Sequence, residues 1–141
     1  MQLTEHFTLA ELTVTQQRGL DNTPSPAAID NLRRTAELLE QVRALWDRPI
    51  VVTSGYRSPE VNKAVRGSLY SQHMSGQAAD FIIPGAGSPL EICKAISAAS
   101  PAIVYDQLIH EWKAWVHISW SMAPRRMALT IDGNGTRQGF E

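Results

Sequence analysis

The stretch Ser71-Gln72-His73-Met74-Ser75-Gly76-Gln77-Ala78-Ala79-Asp80-Phe81-Ile82-Ile83 decides the fold around the most informative residues of this chain. Its first half is small and polar and predicts a loop, in which Gly76 lets the backbone fold closely. Its second half is apolar except for Asp80 and predicts a buried strand that Pro84 ends. A carboxylate within an apolar strand needs a cation or strong hydrogen-bond donors. The stretch therefore predicts that His73 and Asp80 are candidate metal ligands.

A third candidate ligand, His117, lies in the apolar run Trp115-Val116-His117-Ile118-Ser119. Taken one at a time, a loop histidine, a strand aspartate and a strand histidine are more often ordinary surface or core residues than ligands. Together, two imidazoles and one carboxylate leave a coordination position open, which is typical of catalytic zinc. Structural zinc uses four protein ligands, commonly thiolates, and Cys93 is the only cysteine. The set therefore predicts one catalytic zinc ion.

Arg57 is a candidate substrate-binding residue. It lies in Ser54-Gly55-Tyr56-Arg57-Ser58-Pro59, directly after the β-branched run of residues 50–53, which predicts a buried strand. A side chain at the end of a buried strand often points into a cleft. The planar guanidinium fork can bind a carboxylate or a polarised carbonyl through two hydrogen bonds. An isolated arginine is, however, usually a solvated surface residue.

Glu111 is the candidate general base that a hydrolytic metal site requires. A hairpin loop of residues 112–114 would pair Glu111 with Trp115 and would pair residue 109 with His117. Glu111 and His117 would then share one face of the sheet as diagonal neighbours. A loop one residue longer or shorter would place His110 on that face instead.

The composition describes a soluble globular protein of 141 residues, with 43% hydrophobic and 19% charged residues. The net charge of −1 gives no basic surface for nucleic acid or for an anionic membrane. No stretch reaches the roughly 18 apolar residues of a membrane span, and no secretory signal pattern is visible at the start. We expect synthesis in the cytoplasm and a monomer, so that a substrate outside the cell would require separate delivery.

The order of predicted elements favours a single α+β domain, in which helices pack mainly on one face of a small antiparallel sheet that holds the zinc site. The predicted helices span about 25–46, 59–65 and 89–99. The predicted strands span about 50–53, 79–83, 105–110 and 115–120. The domain covers residues 1–141 with a core of about 5–130, and the Gly- and Asn-containing segment 131–141 predicts a turn-like, flexible tail.

Three of these motifs together resemble the family of zinc D-alanyl-D-alanine carboxypeptidases, which also contains phage and bacterial L-alanyl-D-glutamate endopeptidases that cut peptidoglycan stem peptides. The resemblance covers about residues 5–120, and its opening, Phe7-Thr8-Leu9-Ala10-Glu11-Leu12, is similar to a short phage-type branch. The motifs that carry it are Ser54-Gly55-Tyr56-Arg57-Ser58-Pro59, Ser71-Gln72-His73 with Gly76 and Asp80, and Trp115-Val116-His117.

The resemblance implies a role for each candidate residue. His73, Asp80 and His117 would bind zinc, and Arg57 would hold or polarise the substrate. Much of the family has its catalytic carboxylate three residues before the last histidine, where this chain has an alanine at position 114. Glu111, six residues before that histidine, would take over the role of the base.

Three functions are consistent with these observations. The first is a zinc peptidase that cuts peptidoglycan peptides, either as a phage or prophage lysin released by a holin or as part of a virion. The second is a dipeptidase or carboxypeptidase for small D-alanyl peptides in the cytoplasm. The third is a non-catalytic, zinc-stabilised binding or assembly module of a phage particle. Ala114 favours the third function, and Glu111 argues against it.

Overall fold

The structure, a computed structural model, covers residues 1–141 and combines three α-helices with a six-stranded sheet, which confirms the predicted α+β class. The helices are α1 (Pro26–Arg43), α2 (Pro59–Ala64) and α3 (Pro89–Ser97). The strands are β1 (Val51–Ser54), β2 (Ala78–Ile82), β3 (Gln107–Glu111), β4 (Trp115–Ser119), β5 (Met127–Asp132) and β6 (Gly135–Gln138). None of the helices combines the length and apolarity that crossing a membrane requires.

All three α-helices begin with a serine followed by a proline. The serine hydroxyl accepts a hydrogen bond from a backbone N–H in the first turn, which would otherwise lack a partner. Proline fits the next position because it has no N–H to satisfy and its φ angle already suits a helix. The three capping serines are Ser25, Ser58 and Ser88. The structure therefore confirms the predicted helix starts, and the serine–proline pair at each start explains them.

The strands lie in the order β1-β2-β4-β3-β5-β6. Four of the five strand pairs are antiparallel, but β5 runs parallel to β3. The sheet is therefore mixed, which corrects the prediction of an antiparallel sheet. The reason is that residues 120–126 return the chain to the starting end of β3, where the Met127 N–H donates to the Asp106 carbonyl at 2.8 Å.

The C-terminal segment corrects a second prediction. Residues 131–141 are not a turn-like tail, since Gly135–Gln138 form β6 against β5. Gly133 and Asn134 form the turn between the two strands, and Gly135, the first residue of β6, adopts a positive φ of 95°. Beyond β6, the Thr130 hydroxyl donates to the Gly139 carbonyl at 2.7 Å. The segment does contain a turn, as predicted, but this turn joins two paired strands.

The two faces of the sheet have different surroundings. Alternate residues of the central strands enter the hydrophobic core with residues of α1 and α3: Ala79, Phe81, Leu108, Val116 and Ile118. The residues between them, which include Asp80 and His117, point to the opposite face because side chains alternate along a strand. One face thus supports the fold, and the other is available for a site.

Cys93, on the buried side of α3, offers a test of this core. Burial raises the pKa of its thiol to about 12. At pH 8 this leaves about one thiolate in 10,000, compared with about one in four at an ordinary pKa of about 8.5. We expect a thiol reagent such as DTNB to react about 1,000-fold more slowly with folded than with denatured protein.

The same shift predicts that stability falls as the pH rises above about 8.5, because the unfolded chain then releases a proton that the folded state retains. The rate of DTNB reaction with and without denaturant measures the first effect, and urea unfolding between pH 8 and 10 measures the second. Equal reaction rates in folded and denatured protein would contradict the buried position of Cys93.

Candidate metal centre

The three predicted ligands meet in the structure. The imidazole nitrogens of His73 and His117 and a carboxylate oxygen of Asp80 all lie within 4.8 Å of one another. Asp80 Oδ1 is the common neighbour, 3.3 Å from His73 Nε2 and 2.8 Å from His117 Nδ1. Asp80 and His117 are opposite each other in the register of β2 and β4, and a short 3₁₀ turn at Gln72–Ser75 brings His73 to them.

The His73 ring is held in one orientation. Its Nδ1 lies 2.7 Å from the Gly55 carbonyl oxygen, which can only accept, so that Nδ1 carries the proton. When Nε2 gives up its own proton to a bound metal, its lone pair points to the cluster, and such a hydrogen bond from Nδ1 is the usual support of a metal-binding histidine. Gly55 can lie here only without a side chain, because a Cβ would be 2.2 Å from the Leu12 carbonyl oxygen.

All three side chains are buried, and their charges are coupled. Burial by itself raises the pKa of the Asp80 carboxyl, but the charge of His73 and hydrogen bonds from His117 and His73 outweigh it and hold that pKa well below its ordinary value. Asp80 is therefore an anion at neutral pH. Two imidazole nitrogens and one carboxylate oxygen that converge at this distance fit a divalent cation of the zinc type.

Arg57 lies beside this cluster, as the sequence predicted, and it has a partner that the sequence did not reveal. Its Nη2 lies 3.3 Å from Asp80 Oδ2, the carboxylate oxygen that faces away from the histidines. Two further hydrogen bonds hold the guanidinium, from Nε to Ser54 Oγ at 3.0 Å and from Nη1 to Asn62 Oδ1 at 3.3 Å. The structure thus places a fixed positive charge next to the candidate metal position.

The β3–β4 hairpin has the predicted register. Glu111 pairs with Trp115, and Ile109 pairs with His117. Glu111 consequently shares a face with His117, and its Oε1 lies 4.0 Å from His117 Nδ1. The assumption of a three-residue loop, on which this expectation depended, is therefore correct.

His110, the alternative base, lies on the opposite face of β3. It is 4% exposed, and its Nδ1 is 3.1 Å from the Glu141 carbonyl oxygen, away from the cluster. The two residues at the hairpin tip, Trp112 and Lys113, both adopt positive φ angles, which allows the tight turn that sets this register. The geometry therefore leaves Glu111 as the carboxylate that faces the candidate metal centre.

The environment of Glu111 suits a group that takes up a proton. Burial raises its pKa above the ordinary value, and the negative charge of Asp80 raises it further. The charges of His117 and Arg57 and the nearby Trp115 indole lower it, but they do not cancel the rise. The Trp115 indole N–H is buried and makes no hydrogen bond of ordinary geometry. A carboxylate with a raised pKa is a stronger general base near neutral pH.

All five predicted residues line one cleft of about 780 Å³. Sequence reasoning missed the far side of this cleft, which is formed by the hairpin of β5 and β6. The alternation of larger and smaller residues in Met127-Ala128-Leu129-Thr130-Ile131 is the period-2 pattern of a strand and could have revealed β5. The cleft side chains from this hairpin are Met127, Leu129, Ile131 and Thr136.

Fold and site together define a small α+β protein with a candidate metal centre at the base of a cleft. The sequence profile of the peptidase M15 family matches residues 5–119, and the chain therefore belongs to that family. This confirms the predicted relationship to the zinc D-alanyl-D-alanine carboxypeptidases and implies a hydrolase. A search among curated proteins gave no match.

Proposed function

We propose that the protein is a zinc-dependent peptidase that hydrolyses peptide bonds in peptidoglycan stem peptides, and that it acts on the cell wall after release from the cell or as part of a virion. One observation carries the proposal: the three candidate metal ligands lie in the same cleft as a partly buried carboxylate, Glu111, whose pKa is raised. Membership of a peptidase family supports it.

The residues that would hold zinc are His73 through Nε2, Asp80 through Oδ1 and His117 through Nδ1. When bound, zinc supplies Lewis acidity that polarises a peptide carbonyl and makes water more acidic. Asp80 reduces the net positive charge of the site, and the Gly55 carbonyl keeps the His73 ring in the tautomer that can bind a metal.

Glu111 and Arg57 provide the chemistry of the protein itself. Glu111 accepts the proton of the attacking water and then donates it to the nitrogen of the leaving amine, which a carboxyl with a raised pKa can do. Arg57 offers a fixed guanidinium for the negative charge that develops on the carbonyl oxygen or for a carboxylate of the substrate. Its contact with Asp80 also orients that ligand.

Replacing Arg57 with lysine is expected to lower kcat/KM for a stem peptide roughly tenfold or more, because lysine cannot form the planar fork that bonds to three neighbours. Zinc content should stay near one per chain. Steady-state kinetics and metal analysis of the same samples measure both quantities. Arg33→Lys, an exposed change on α1, is the matched control. Unaltered kinetics in Arg57→Lys would show that Arg57 takes no part in substrate binding or catalysis.

The proposal is tested by digesting purified peptidoglycan with zinc-loaded protein and identifying the released ends by mass spectrometry. New amino and carboxyl ends within the stem peptides are expected, and none should form with metal-stripped protein. Release of single D-alanine residues would indicate a carboxypeptidase, whereas internal cuts would indicate an endopeptidase. If zinc-loaded protein produces no new ends, the proposed activity is wrong.

Such a negative result would favour a second candidate function, a non-catalytic, zinc-stabilised binding or assembly module of a phage particle. The observation in its favour is Ala114, which stands where much of the family has its catalytic carboxylate. Zinc binding without hydrolysis, combined with retention of peptidoglycan in a sedimentation assay, would be the corresponding result.

A further inference from the structure

The far side of the cleft lies outside the part of the chain that matches the peptidase family, which ends at residue 119. We propose that the β5–β6 hairpin is a substrate-binding wall that holds an aliphatic part of the peptide about three residues from the bond that is cut. The enzyme would then prefer peptides longer than dipeptides. This inference rests on the proposed peptidase function, because it names a specificity determinant of the same cleft.

The strand register connects the wall to the candidate metal centre. Ile109 of β3 lies opposite His117 on one side and beside Leu129 of β5 on the other. Paired residues of neighbouring strands point to the same face of a sheet. His117, Ile109 and Leu129 therefore form a row across the face that carries the site, and all three line the cleft.

The length of this row indicates which part of a peptide reaches the wall. Neighbouring strands lie about 4.8 Å apart, so that two steps place the β5 backbone about 10 Å from the β4 backbone. An extended peptide advances about 3.3–3.6 Å per residue. A side chain about three residues from the cut bond therefore reaches Leu129, whereas a dipeptide bound at the metal centre does not.

The chemistry of the wall selects aliphatic groups. The hairpin adds three apolar side chains and one hydroxyl to the cleft and no charged group: Met127, Leu129, Ile131 and Thr136. Arg125, which also lines the cleft just before β5, is neutralised by an ion pair with the buried Asp106 at 2.7 Å. Methyl and methylene groups of a peptide side chain would lose water on contact with this surface, which favours binding.

The wall is held in place before any substrate binds. The Arg125 guanidinium donates to both carboxylate oxygens of Asp106, directly before β5. The backbone N–H of Trp112, at the tip of the neighbouring hairpin, donates to the Ile131 carbonyl at 2.7 Å. A preformed surface costs less ordering entropy when a ligand binds, so that contacts with it contribute more fully to affinity.

The test compares variants of the wall on peptides of increasing length. Leu129→Thr and Met127→Gln make the wall polar without charge, and Met127 is only partly buried, so the second variant is expected to fold even if the first is destabilised. Val51→Thr, at the exposed edge strand β1, is the matched control. The substrates are synthetic stem peptides that keep the cut bond and grow by one residue at a time from a dipeptide to a hexapeptide.

We expect the kcat/KM of the wild type to rise at least about tenfold once the peptide extends about three residues from the cut bond. The two wall variants should lose roughly tenfold on those long peptides and little on the dipeptide, and Val51→Thr should follow the wild type. Thermal unfolding shows that the variants are folded, and calorimetry measures peptide binding in parallel with cleavage.

The outcomes separate this inference from the proposed function. Equal cleavage of all lengths by the wild type, or an equal loss on all lengths in the wall variants, would show that the hairpin is no subsite, although the peptidase function would stand. If no peptide is cleaved, the proposed function fails and the binding data decide. Affinity that does not depend on peptide length would then show that the hairpin is no subsite either. Affinity that rises with peptide length and falls in the wall variants would support the hairpin as a subsite.

Discussion

Replacing Glu111 with glutamine is expected to lower peptide hydrolysis by about 100-fold or more while leaving fold and zinc content unchanged. Glutamine has nearly the same shape, and it can still lie in the partly buried position beside His117. An amide cannot accept the proton of the attacking water, which is the task that the raised pKa of Glu111 suits. The measurement is kcat/KM on a stem peptide, together with zinc analysis of the same sample.

Glu37→Gln is the matched control, because Glu37 is exposed on α1 on the other side of the sheet from the cleft. It should retain full activity. Activity of Glu111→Gln near that of the wild type would remove Glu111 from the mechanism. His110 would not be an alternative in that case, since its side chain lies on the opposite face of β3.

Replacing His117 with alanine is expected to abolish stoichiometric zinc binding and, with it, activity. The change leaves two protein ligands, whereas a catalytic zinc site commonly has three. Outer contacts of metal ligands alone are worth roughly 10- to 100-fold in affinity, so the loss of a ligand should exceed that range. Zinc per chain after dialysis against metal-free buffer, and after addition of zinc, measures the effect.

His6→Ala is the matched control for this substitution. His6 lies outside the cluster, where its Nδ1 is 2.7 Å from a carboxylate oxygen of Glu40, and its replacement should leave zinc at one per chain. If His117→Ala protein still binds zinc stoichiometrically and cleaves peptides, the proposed ligand set is wrong. If the wild type takes up no zinc at all, the metal-dependent mechanism fails.

Much of the site could be predicted because its signals are local. An aspartate in an apolar strand, a histidine in a small-residue loop and a histidine in a β-branched strand are visible in short segments. The pairing of Glu111 with Trp115 also followed from local information, since the length of a hairpin loop sets the register of its strands. The capping serines of the helices are local in the same sense.

The missed features depend on residues that are far apart in the chain. The contact of Arg57 with Asp80 joins residues that are 23 positions apart, and no local pattern indicates which arginine faces a buried carboxylate. Strand β6 was missed because its neighbours Gly133 and Asn134 predict a turn, and the parallel pairing of β5 with β3 was missed because β4 lies between them in the chain.

The sequence by itself determined which side chains are available to the site: the candidate metal ligands, the candidate base, and the helix starts and central strands that present them. Only the tertiary structure decided the shape of the cleft around that chemistry. Side-chain identity and alternation are properties of short segments, whereas strand order and the packing of the β5–β6 hairpin beside β3 depend on non-local contacts. Those contacts form when the chain closes on itself, and they decide which side chains line the cleft beside the candidate metal centre.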